Sequence, residues 1–122
     1  MILQNHNTNF GSIEISSEVI EVIASIAVEE TKGVHSLQNN FASGNIEKIG
    51  KKFRGRGVKV ETSDGQIHIA IYVVLSTDRN VHSVAERIQE NVKQAVNDML
   101  EVTVNETNVH IVNIIKLSLI HI

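Results

Sequence analysis

Cysteine, proline and tryptophan are all absent from this chain of 122 residues. Without cysteine there is no disulfide framework and no thiolate chemistry, a composition compatible with a cytosolic home. Without proline, slow prolyl isomerisation does not limit folding. Aromatic residues are scarce, three Phe and one Tyr, so the stacking platforms of single-stranded nucleic-acid binders are poorly supplied. No apolar run approaches the ~18 residues needed to span a bilayer. The opening MILQNHNTNFG lacks the basic start and apolar core of a signal peptide. A net charge of −3 argues against bulk attraction to nucleic acid.

What is present describes one globular domain. Apolar and charged fractions of 42% and 20% are ordinary, which excludes disordered and fibrous classes. The length suffices to bury roughly two-thirds of the unfolded surface. Residues 1–10 read as a flexible lead-in without periodicity, 11–116 as a single α+β domain, and 117–122 as an apolar tail.

The clearest local signal is Asp64-Gly65, which suits a two-residue type I′ hairpin turn because both positions there need positive φ. Closing on it sets Ser63 opposite Gln66, Val60 opposite Ile69 and Val58 opposite Ile71. Opposed residues share a face, so these valines and isoleucines form one apolar patch while Lys59, Glu61, His68 and Ala70 lie on the other. A slip of one residue would mix the faces.

Before the hairpin, Gly11–Ile15 alternates as a short strand. Ser16 and Ser17 then offer N-cap oxygens to a helix, with Glu18 at its positive end. Eight apolar residues from Val19 to Val28 leave only a narrow polar seam at Glu18, Glu21, Ser25 and Glu29, which predicts a wide cover over this helix. Gly33 is expected at its C′ position. Residues 34–57 are long for a connection in so small a domain, with one or two helical turns at 45–52. Asn80 is the best N-cap for a second helix, in which Val81, Val84, Ala85, Ile88, Val92, Ala95, Val96 and Met99 keep three-and-four spacing. Val109–Ile115 reads as a strand with poor alternation, expected to be buried on both faces at the centre of the sheet. The expected fold is an α+β two-layer sandwich, two helices packed on one face of a three- or four-stranded sheet, in the order (β)αββαβ. If the second and last of these strands pair in parallel, the second helix is a crossover.

Candidate chemistry is thin. The six histidines include no His-x-x-x-His or His-x-His pair, so no metal site is predicted. No Gly-x-Ser-x-Gly elbow activates a serine. Glu61 opposite His68 resembles an acid–base couple, and a cleft shared with Tyr72 would make it one, but cross-strand charge pairs are common surface features. Asn105-Glu106-Thr107 fits the glycosylation pattern, a chance match without a secretory signal. No catalytic, cofactor or metal residues are assigned. Six of the eleven basic residues, Lys48, Lys51, Lys52, Arg54, Arg56 and Lys59, crowd a short stretch around Phe53. Arg-Gly-Arg-Gly lacks the phosphate-loop pattern. The stretch can touch RNA, DNA or acidic lipid phosphates, but a solvated loop leading into a strand is preferred. Leu117, Leu119 and Ile120 in the tail extend the last strand or seek a partner.

Taken in order, Gly11-Ser-Ile-Glu-Ile-Ser-Ser-Glu-Val-Ile, Ile23-Ala24, Gly33-Val34 and Gly55-Arg-Gly-Val-Lys-Val resemble the start of the bacterial alkaline shock protein family, also called the envelope stress response family. Asn80-Val81, the run Val84 to Lys93, Ala95-Val96 and Met99 are similar to its second helix, and Asn108 to Ile111 to its last strand. The resemblance covers about residues 11 to 115. It implies a non-enzymatic cytoplasmic protein of cell-envelope homeostasis, peripheral at the inner face of the membrane. Such a protein self-associates as a homo-oligomer and is held by an integral membrane anchor protein rather than by its own span. It implies no catalytic residues and no cofactor. The chain departs from the family where a glycine often follows helix two and Glu101 stands instead, and the tail after Lys116 does not align. The alternative function is a nucleic-acid-binding domain using residues 48–59.

Overall fold

The computed structural model of the protein describes residues 2–8, 11–37, 57–77 and 80–115. Eight elements follow in order: β1 (Ile2–Thr8), β2 (Gly11–Glu14), α1 (Ser17–Glu29), β3 (Val34–Leu37), β4 (Val58–Ser63), β5 (Gln66–Ser76), α2 (Val81–Leu100) and β6 (Glu106–Ile115). The α+β sandwich is as expected, with β1 and β3 added. β1 pairs antiparallel with β2 as a separate two-stranded sheet, although its Asn-rich composition announces no strand.

β5 is the axis of the main sheet. The turn works as its sequence demands, with Asp64 at φ +52 and Gly65 at φ +78. The register is the expected one: Ser63 faces Gln66, Val60 faces Ile69 and Val58 faces Ile71. β3 pairs antiparallel with the later part of β5, Leu37 opposite Val73. β6 runs parallel to β5 from His68↔Glu106 to Ser76↔Ile115. Because a strand has two edges, β3 and β4 lie end to end along one edge of β5 and β6 lies along the other. Among the described residues β6 is therefore an edge strand and not the central strand expected. Its burial agrees, since Val109 and Ile111 are half-buried while Val112 and Ile114 are exposed. The long, fully apolar face belongs instead to β5, whose Ile67, Ile69, Ile71, Val73 and Leu75 are all buried.

Both helices cover that face. Ser16 caps α1, its Oγ accepting from the Val19 amide at 3.3 Å. Ile20, Ile23, Ala24, Ala27 and Val28 turn inward. α1 ends on Glu30 in right-handed conformation, and Gly33 is not its cap. Gly33 instead takes φ +101 in the turn leading to β3, where an added Cβ would lie 3.1 Å from both Val84 methyls. Asn80 caps α2 as expected, its Oδ1 accepting from the amides of His82 at 2.7 Å and Ser83 at 3.3 Å. Val84, Ile88, Val92 and Val96, spaced by four, form its buried line. Glu101 ends α2 at φ +59, ψ +38, the left-handed conformation that glycine adopts most readily. Val102 and Val104, both buried, carry the chain back under α2. Asn105 then fastens β6 to the start of β5, its amide donating to Ile67 O at 2.9 Å and its Oδ1 accepting from Ile67 N at 2.8 Å.

Candidate interaction surfaces

Lys59, the one candidate interaction residue among the described residues, places its Nζ 3.5 Å from Glu61 Oε2 with both side chains more than half exposed. Such an exposed pair contributes little. Lys48, Lys51, Lys52, Phe53, Arg54, Arg56, Leu117, Leu119 and Ile120 lie outside the described residues, as do the helical turns expected at 45–52.

The solvent face of the sheet separates the residues that an acid–base site would need to combine. His68 turns away from Glu61 and toward β6, its Nδ1 2.9 Å from Glu106 Oε1. Tyr72 stacks on His110 across the same strand pair, ring centroids 4.6 Å apart and planes 12° apart. Glu61 goes to Lys59. The parallel register causes this, because it sets Glu106 beside His68 and His110 beside Tyr72. Among the described residues no group of three His, Asp or Glu side chains converges as a metal site would need.

A hollow of about 230 Å³ lies where the Lys32–Gly33 turn, the end of β5 and the start of α2 meet. Lys32, Arg87, Ser76, Thr77 and Ser83 line it with Gly33 and Val84. The amides at the start of α2 are not free for an anion, because Asn80 Oδ1 already accepts from His82 and Ser83.

A second, mainly apolar feature lies between the two helices. Gly33 lies against Val84 and, two residues earlier, Thr31 Oγ1 accepts from Asn91 Nδ2 at 2.9 Å, so the chain at the end of α1 runs antiparallel to α2. From there an open groove of about 590 Å³ runs between Val22, Ile26 and Glu30 on one helix and Gln94, Asp98 and Met99 on the other. Ile23, Ala27, Asn91 and Ala95 complete it. Val19 is 42% exposed, Val22 39%, Ile26 51% and Met99 67%. Of the eight apolar residues of α1 expected under cover, three thus remain uncovered by the rest of the described chain. Five suffice to meet the sheet, and a helix apolar on nearly every side has a second dry face left over. That excess is the sequence signal for this groove; on its second wall Met99 keeps the apolar spacing of α2 yet stands exposed rather than in the buried line.

Every charged group lining the groove is acidic, Glu30 and Asp98. α1 itself carries Glu18, Glu21 and Glu29 and no Lys or Arg. No helix among the described residues is long and apolar enough to cross a membrane.

Comparison with known proteins adds relatives to this geometry. The model of the alkaline shock protein family, described as of cell envelope-related function, matches residues 5–116. The uncharacterized protein YqhY of Bacillus subtilis is 42% identical over 112 residues, covering 92% of this chain and 83% of its own. The uncharacterized protein Spy1535 of Streptococcus pyogenes is 40% identical over 106 residues, 86% of this chain and 80% of its own. The uncharacterized protein YloU of Bacillus subtilis is 32% identical over 106 residues, 85% and 88%. No solved structure matches.

Proposed function

The chain belongs to the alkaline shock protein family, of cell envelope-related function, and from that premise we propose that it is a non-enzymatic interaction protein of the cytoplasmic side of the envelope. It self-associates and is held at the inner face of the membrane by an integral membrane partner. The observation that carries this reading is the apolar stripe of Val19, Val22, Ile26 and Met99 beside an open groove. Large apolar side chains exposed together on a small domain mark a surface that another molecule covers. The outer edge of β6 adds a second surface: no described strand pairs with it, and unpaired strand edges accept further strands. Against catalysis stands the dispersal of Glu61, His68 and Tyr72 onto different neighbours.

Subcellular fractionation tests the proposal. The protein is expected to sediment with membranes, to come off in alkaline carbonate, and to lose its sedimentation when vesicle proteins are shaved by protease before it is added. Binding to protein-free lipid vesicles of the same composition, or no membrane association at all, would count against it.

A further inference from the structure

Resting on that reading, we infer that the groove between α1 and α2 is the seat of one kind of partner, a basic amphipathic helix of another protein. Its length decides the element. From Val22 to Glu30 the groove extends about 12 Å along the helix axis, room for about two turns laid beside α1 and α2. Its chemistry decides the two faces of that element. The walls offer Val22, Ile26 and Met99 to apolar anchors spaced three and four apart, and methionine adapts to anchors of different shape. The rim offers Glu30 on one side and Asp98 on the other, so lysines or arginines flanking the anchors meet a carboxylate on each bank.

Charge also argues against other occupants. A second copy would bring a second rim of Glu30 and Asp98, with no Lys or Arg among the lining residues, into the same interface, and like charges gathered there are costly. An anionic membrane surface and a nucleic acid would be repelled by the same rim and by an α1 that carries only acidic charges. A basic helix has the matching sign. Cytoplasmic segments next to a membrane span are enriched in Lys and Arg, so an integral membrane partner has such helices to offer.

The test uses the full chain and two synthetic peptides of about 14 residues, roughly four turns. Both carry the same leucine face; one fills its polar positions with lysine and the other with glutamate. Fluorescence anisotropy is expected to show the lysine peptide binding at least about tenfold more tightly than the glutamate peptide, with the difference shrinking as salt screens the rim. I26S/M99S should weaken the lysine peptide by about tenfold or more. E30K/D98K should reverse the preference between the peptides. All four positions are exposed or line the open groove, and melting curves verify that both variants fold. Equal binding of the two peptides by the wild-type chain, or an unchanged preference in E30K/D98K, would overturn the inference. So would a fall in the self-associated mass of I26S/M99S with unchanged peptide affinity, which would assign the groove to a second copy. A chain that sediments with membranes yet ignores both peptides loses the groove and keeps the envelope role. A chain that takes the lysine peptide with the expected preference but never sediments keeps the groove and loses that role.

Discussion

Glu101 holds a left-handed backbone conformation that costs a side-chain-bearing residue about 1–2 kcal/mol. Its amide still closes α2 by donating to Asn97 O at 2.8 Å, so geometry is kept and strain is accepted. Glu101→Gly is therefore expected to raise stability by about 1 kcal/mol in urea unfolding, after the extra freedom of the unfolded chain is subtracted. Gly33 is the opposite case, combining φ +101 with two Val84 methyls 3.1 Å from the missing Cβ. Gly33→Ala should lose about 1–3 kcal/mol by the same measurement. Thr107 is a third local imperfection: its Oγ1 is buried without a hydrogen-bond partner. Replacing it with valine removes a stranded hydroxyl at almost constant shape, and T107V is expected to gain about 1 kcal/mol.

At the scale of elements, the β4–β5 hairpin was fully legible in the sequence, because turn chemistry and face alternation agree on one register. The caps at Ser16 and Asn80 and the Val84–Ile88–Val92–Val96 line were legible for the same reason: each is a short-range rule that needs no knowledge of the rest of the chain. The sequence misleads on β6 because an apolar run fixes neither burial nor position in the sheet; Val112 and Ile114 are apolar yet exposed beside an edge that no described strand pairs. β3 escaped notice because four residues, Val34–Leu37, are too few for a periodic signal. The groove was half legible, through the surplus apolar positions of α1. The two faces of that helix should respond oppositely to charge. Ile23 is 8% exposed and belongs to the core, whereas Ile26 is 51% exposed. Ile23→Asp is expected to abolish the cooperative unfolding transition, while Ile26→Asp should shift stability by less than about 1 kcal/mol. Equal damage at both positions would show that α1 is covered all round.

For the whole molecule, two helices close one face of a sheet while the other face spends its histidines on a carboxylate and an aromatic ring. What the described surface leaves open is a groove and a strand edge, both suited to proteins. The basic stretch at 48–59 competes with this view only if it binds nucleic acid on its own. Light scattering on the full chain and on residues 1–116, across a range of concentrations, separates the two most directly. An interaction protein predicts a mass above the 13.5 kDa of one chain that rises with concentration and falls when Leu117 to Ile122 are removed. A strict 13.5 kDa monomer at every concentration, binding RNA tightly with an affinity that collapses in salt, would contradict it.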